Sequence, residues 1–219
     1  MNEKALYSEL VGYGRANKDT LYTPSSLTRA IRRIVGNEDI LVTTTRHNDV
    51  YLNQVVIGGQ YDPDEDQANF ASITVFVTYS PHQKEFLLKD MNWKQVSINL
   101  VECIGHEMIH QQQYRNREYD IADGLFISNC VDDEKRHEQE YLGNPDEIEA
   151  YGYSVASELF LKHKLSSITK DHVKKSQMFK VYVSTFGINH PVVQELTEHI
   201  VKYYLQLNGG SFHATRIRG

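Results

Sequence analysis

The sequence predicts an α+β fold, in which a small twisted sheet packs against one long helix and a mainly helical second half follows. Residues 72–79 alternate apolar and polar side chains, a period that indicates a β-strand. Residues 93–115 instead place apolar side chains at helical spacing, which predicts a long buried helix. Beyond residue 144 the pattern stays helical, at 145–163, 171–179 and 191–207.

The segment before residue 72 predicts both helices and short strands. Thr23 and Pro24 form a typical helix start and Gly36 is a typical stop. Gly58 and Gly59 are expected to break a strand or to mark a bulge. The predicted elements are a weak helix at 4–16, a helix at 25–35, and β-rich runs at 40–45 and 51–57.

Two acidic segments are open to more than one interpretation. Residues 62–66 alternate aspartates as a calcium-binding loop does, but Gln67 replaces the required glycine and Ile73 replaces the closing glutamate. These departures favour a solvated turn over a calcium site. The charged run at 132–140 is expected to be a solvated helix face or a mobile loop.

The composition argues against several classes of function. The chain has 219 residues and a net charge of −6 without a basic stripe, so nucleic acid is not an expected partner. Its two cysteines, Cys103 and Cys130, are too few for a disulfide framework. We see no signal-peptide pattern and no membrane-length apolar run, and therefore expect a cytoplasmic protein of a bacterium or a phage-infected cell.

The most specific stretch is the pentapeptide from His106 to His110, which reads His-Glu-Met-Ile-His. Residues four apart lie one turn above each other on a helix, so both imidazoles can hold one zinc ion. Glu107 lies beside them as a base for a zinc-activated water. The sequence therefore predicts one catalytic zinc, with His106 and His110 as ligands and Glu107 as the catalytic residue.

The order of a strand, this helix and a glutamate on a later helix resembles the gluzincins, the zinc metallopeptidases that include thermolysin. The resemblance covers about residues 70–163. The compact chain is similar to small gluzincins such as the ImmA/IrrE-like proteins, and residues 145–151 are similar to a segment of phage-type metallopeptidases. The resemblance implies a zincin-like fold, cleavage of peptide bonds, and a peptide or protein substrate.

The resemblance also implies the third zinc ligand. In gluzincins this ligand is a glutamate, followed three residues later by a small residue and then by Asp or Asn. Glu147 and Ala150 match this pattern, whereas Tyr151 stands where an acid or amide is typical. Glu147 also completes a capping box with Asn144, which would make its role purely structural.

Other residues remain alternatives at the site. Glu149 or His137 could replace Glu147 as the third ligand, and Cys103 lies one turn before His106. The oxyanion formed during hydrolysis needs a hydrogen-bond donor. Its candidates are Tyr151, Tyr153, His190 and His213.

The expected organisation is a single metallopeptidase-like domain over residues 1–219. Its parts are a sheet part, the metal-site helices, a helical extension and a flexible tail, at 1–90, 91–163, 164–207 and 208–219. Substrate is expected to add as an extra strand along residues 72–79. The alternative function is a catalytically silent zinc-binding or protein-interaction module that retains the geometry.

Overall fold

The computed structural model describes residues 2–120, 124–163 and 168–209. The chain forms two compact units, Met1–Gln112 and Gln113–Gly219. The predicted α+β class, with small sheets and a helical second half, is confirmed. The single domain and its parts stay a prediction, and the tail beyond Gly209 lies outside the described residues.

The first unit contains the sheets. Its elements are α1 (Glu3–Ala16), β1 (Leu21–Tyr22), α2 (Pro24–Val35), β2 (Ile40–Arg46), β3 (Val56–Tyr61), α3 (Pro63–Gln67), β4 (Ile73–Tyr79), β5 (Phe86–Leu87) and most of α4 (Trp93–Asn116). Thr23 and Ser26 form a capping box at the start of α2, and Gly36 ends this helix with a φ of 57°. The helix expected at 25–35 is therefore confirmed.

The main sheet has the strand order β2-β4-β3, with β2 parallel and β3 antiparallel to β4. Strand β4 is central, and its alternating buried side chains include Val75 and Val77. Because both sides of β4 already carry strand partners, it cannot accept a further strand. The expectation that substrate pairs with residues 72–79 is therefore wrong, and β3 is an edge strand of this sheet within the described residues.

The strand predicted at residues 51–57 forms instead at Val56–Tyr61, as β3. Residues 51–55 precede the strand, and Leu52 and Asn53 form a turn in which Asn53 has a φ of 60° and donates its backbone N–H to Gln83 Oε1 at 2.6 Å. Gly58 and Gly59 lie inside the strand and pair with Phe76 and Val75, so the predicted break is wrong. At Gly59 the physical reason for glycine is a close approach of α4.

The second unit is helical. It comprises the end of α4 followed by α5 (Asp133–Leu142), α6 (Pro145–His163), α7 (Lys170–Val173), α8 (Gln177–Phe186) and α9 (Pro191–Leu207). Its buried core includes Ile148, Leu196 and Ile200. The charged run at 132–140 is helical because Asp132 caps α5 through the Lys135 N–H. The single helix predicted at 171–179 is instead the pair α7 and α8, which residues 174–176 separate.

Among the described residues, no helix combines the length and the apolar composition that crossing a bilayer requires.

A buried carboxylate fixes the middle of α4 against the sheet. Asp66, at the end of α3, is only 7% exposed. Its Oδ2 accepts a hydrogen bond from the Tyr61 hydroxyl at 3.0 Å, and its Oδ1 accepts from Gln111 Nε2 at 3.0 Å and from Ser72 Oγ at 3.2 Å. The solvated turn expected at 62–66 is therefore wrong for Asp66, since this side chain ties the sheet to the residue that follows His110.

Replacing Asp66 with alanine should destabilise the protein. Asp66→Ala removes the acceptor that the Tyr61 hydroxyl, Gln111 Nε2 and Ser72 Oγ share, and we expect the free energy of unfolding to fall by about 3 kcal/mol in urea denaturation. Glu65→Ala is the matched control, because Glu65 is exposed on the same short helix, and it should change stability by less than about 0.5 kcal/mol. Equal effects of the two substitutions would contradict the structural role of Asp66.

Candidate metal centre

The two predicted histidine ligands face each other on α4. His106 Nε2 and His110 Nε2 are 3.1 Å apart, and the ring planes meet at 81°. Tetrahedral zinc with Zn–N bonds of ~2.05 Å holds its nitrogen ligands about 3.3 Å apart. The separation of the two nitrogens therefore matches a pair that shares one metal ion.

Glu147 joins this pair from the first turn of α6. His106, His110 and Glu147 each offer one ligand atom, and these atoms lie within 4.8 Å of one another. This upper limit is wider than the ~3.3 Å that separates two ligand atoms of a tetrahedral zinc ion. The ligand types, two imidazoles and one carboxylate, are those of catalytic zinc. Such a set fills three tetrahedral positions and leaves the fourth for water or substrate. The group could therefore hold a metal ion.

Glu107 lies between α4 and the edge strand β3. It is 7% exposed. A Cβ on Gly59 would come within 2.7 Å of Glu107 Oε1 and 2.6 Å of Cys103 Sγ. A side chain at residue 59 would therefore overlap the predicted base unless Glu107 and Cys103 shifted.

Cys103 is an unsuitable metal ligand in this position. Burial raises the pKa of its thiol, and the neighbouring carboxylates of Glu107 and Glu102 raise it further. A thiol ligates zinc as the thiolate, which these surroundings disfavour. Cys103 is also absent from the group of residues that could hold a metal.

The alternative ligand Glu149 is committed to other partners. Its Oε1 accepts hydrogen bonds from Lys202 Nζ at 2.8 Å and the Tyr203 hydroxyl at 2.7 Å, and its Oε2 accepts from Gln113 at 3.1 Å. Burial raises the pKa of Glu149, but these hydrogen bonds outweigh that effect and lower it to about 2. His137, the other alternative, is exposed on α5 and is not in the metal-binding group.

Three of the four predicted oxyanion donors can be located. Tyr153 is buried and packs edge-on against Tyr203. His190 caps α9 by accepting a hydrogen bond from the Val192 N–H at 3.3 Å. Tyr151 shares a hydrogen bond of 3.3 Å with the Tyr141 hydroxyl. The fourth candidate, at position 213, lies outside the described residues.

Tyr141 is a further candidate for the oxyanion donor, and the sequence did not reveal it. Burial raises the pKa of its hydroxyl, as do hydrogen bonds to Tyr151 and Glu147. The phenol therefore stays protonated and can donate a hydrogen bond beside the third ligand. No sequence pattern marks Tyr141, because its place depends on the turn that joins α5 to α6.

Comparison with known proteins gives no independent indication of function: no family model, no curated protein and no solved structure matches the chain.

Gly59 and Gly58 provide a matched test of the contact between β3 and Glu107. Gly59→Ala should lower the free energy of unfolding by about 1–3 kcal/mol, because the added methyl overlaps Glu107 and Cys103. Gly58→Ala adds the same methyl to the same strand where no atom lies within 4 Å. It should be neutral or slightly stabilising in urea denaturation. If both variants are as stable as the native chain, the proposed close approach is contradicted.

Proposed function

We propose that this protein is a zinc-dependent metallopeptidase with a zincin-like arrangement of sheet and active-site helix. The observation that carries the proposal is the convergence of His106, His110 and Glu147, with a buried glutamate next to the first histidine. A purely structural zinc site closes all four positions with protein ligands, whereas a catalytic site keeps one open. Three candidate ligands plus an adjacent base fit the catalytic type.

Zinc, when bound, supplies a Lewis acid that acidifies water and polarises the peptide carbonyl. Glu107 accepts a proton from the attacking water and delivers it to the departing amine as the C–N bond breaks. Its low exposure supports this role, since a carboxylate shielded from bulk water exchanges protons with the reactants rather than with solvent. The neutral hydroxyl of Tyr141, or of Tyr151 beside it, donates a hydrogen bond to the developing oxyanion.

The substrate in this proposal is an extended peptide that adds to the edge of β3. An edge strand offers unpaired N–H and C=O groups that a peptide backbone can match. Gly58 and Gly59 support this binding mode because strands with glycine allow close approach of another backbone. Gly59 also brings this edge next to Glu107, so a peptide bound there would lie near the base.

The location is a further part of the proposal. A cytoplasmic protein of a bacterium or of a phage-infected cell fits a small peptidase with two free cysteines, Cys103 and Cys130. Such a protease would act on a narrow set of peptide or protein substrates.

The test is Glu107→Gln, which keeps the size of the side chain and removes its basicity. The variant should retain zinc to within about threefold of native affinity and should lose cleavage by at least about 100-fold. Cleavage is read by mass spectrometry on a peptide library incubated with zinc-loaded protein. Glu134→Gln, an exposed change on α5, is the control and should cleave as the native chain does.

Two outcomes would contradict the peptidase. Cleavage by Glu107→Gln at the native rate would exclude Glu107 as the base. Stoichiometric zinc with no cleavage in either protein, across the library and across denatured protein substrates, would favour the silent zinc-binding module instead.

A further inference from the structure

One stripe of α4 carries both the histidines and the residues that hold α6. His106, His110, Gln113 and Arg117 follow one another at spacings of four, three and four residues. At 100° per residue, these positions fall within about 60° of one another on the helix surface. The stripe therefore continues beyond the metal ligands into the last turn of α4.

Arg117 binds the first turn of α6 in a two-pronged contact. Its Nη1 donates to Asp146 Oδ1 at 2.8 Å, and its Nη2 donates to Asp146 Oδ2 at 2.7 Å. The side chains are only 26% and 15% exposed. A two-pronged guanidinium–carboxylate pair fixes the orientation as well as the distance of its partners. Asp146 immediately precedes Glu147, so this pair holds the backbone from which the Glu147 side chain extends.

Gln113 holds the same turn from the other side of Glu147. Its Nε2 donates to the Asp146 carbonyl oxygen and to Glu149 Oε2, both at 3.1 Å. Residues on both sides of the third ligand are therefore bonded to the end of the helix that carries the other two ligands. Gln113 follows His110 by three residues, within one turn of the same helix.

We propose that Arg117 and Asp146 are positioning residues that hold Glu147 in place for the metal ion. The inference deepens the proposed function, because it assumes the same metal site. Without the pair, the first turn of α6 samples more orientations, and metal binding must then order it. Loss of partners that orient a ligand typically weakens metal affinity by about 10–100-fold.

The rest of α6 is anchored independently of this pair. Lys202 and Tyr203 of α9 bind Glu149, and the buried face of α6 packs against α9. Variants of Arg117 should therefore keep a folded second unit. This separates an effect on the metal site from loss of the fold.

The experiment measures zinc affinity of the full metal-free chain by competition with a chromophoric chelator, with Zn²⁺ alone as the ligand. Arg117→Gln and Asp146→Asn should each weaken binding by about 10–100-fold. Arg117→Lys keeps the charge but loses the two-pronged contact, and its zinc affinity should lie between that of the native chain and that of Arg117→Gln. Arg136→Gln is the control: it breaks the exposed Arg136–Asp133 pair on α5 and should change affinity less than about twofold.

Bound Co²⁺ distinguishes a positioning role of Arg117 and Asp146 from a purely structural one. The visible spectrum of bound Co²⁺ reports the number and geometry of its ligands. The spectrum of Arg117→Gln should shift from the native form toward that of Glu147→Gln, while the circular dichroism of the metal-free protein stays native. If Arg117→Gln does not fold, Asp146→Asn removes the same pair from the α6 side and decides the question.

The two proposals can fail separately. Native zinc affinity and a native cobalt spectrum in both Arg117→Gln and Asp146→Asn would overturn the positioning role and leave the metal site standing. A native chain that binds no zinc at this site would overturn both.

Discussion

The continuity of helix α4 is the constraint on which the metal site depends. Within its 24 residues, one stripe presents His106 and His110 and then, one turn later, the contacts that hold the start of α6. A hydrogen-bonded helix keeps such side chains at fixed angles and rises without any further interaction. Ligand atoms of one metal ion must lie within a few ångströms of each other. The rigid helix holds the two imidazoles at that distance with a smaller loss of conformational entropy than two loops would require.

A second surface of the same helix carries Glu107, the proposed base. Glu107 is rotated by about 100° from His106, which turns it toward β3 rather than toward the metal ligands. Gly59 gives that strand the room to approach, and Asp66 holds α4 at Gln111, one residue past the second histidine. Helix α4 thus presents the two histidines and Glu107 on different faces, while Glu147 and the edge of β3 come from other elements. In the proposed function, these residues would surround the attacking water.

The sequence predicted the parts that depend on local periodicity. The β4 strand, α2 and the extent of α4 follow from apolar spacing, and the histidine pair follows from a spacing of four. Only the resemblance implies Glu147 as the third ligand, since no local pattern encodes tertiary contacts such as that of Arg117 with the neighbouring Asp146. The expectation that substrate pairs with residues 72–79 is wrong because strand order is a long-range property that alternation does not encode. Asp66 was misread for the same reason: its partners Tyr61, Ser72 and Gln111 are set by the fold, while its acidic neighbours suggested solvent.

The most direct test of the central claim is the position of zinc in crystals grown from metal-loaded protein, located by anomalous scattering on both sides of the zinc absorption edge. We expect one strong peak at about 2.0–2.2 Å from His106 Nε2, His110 Nε2 and a carboxylate oxygen of Glu147. That peak should vanish in crystals of His110→Ala. Zinc held elsewhere in the chain, or two imidazoles that turn away from each other with no metal between them in loaded crystals, would contradict it.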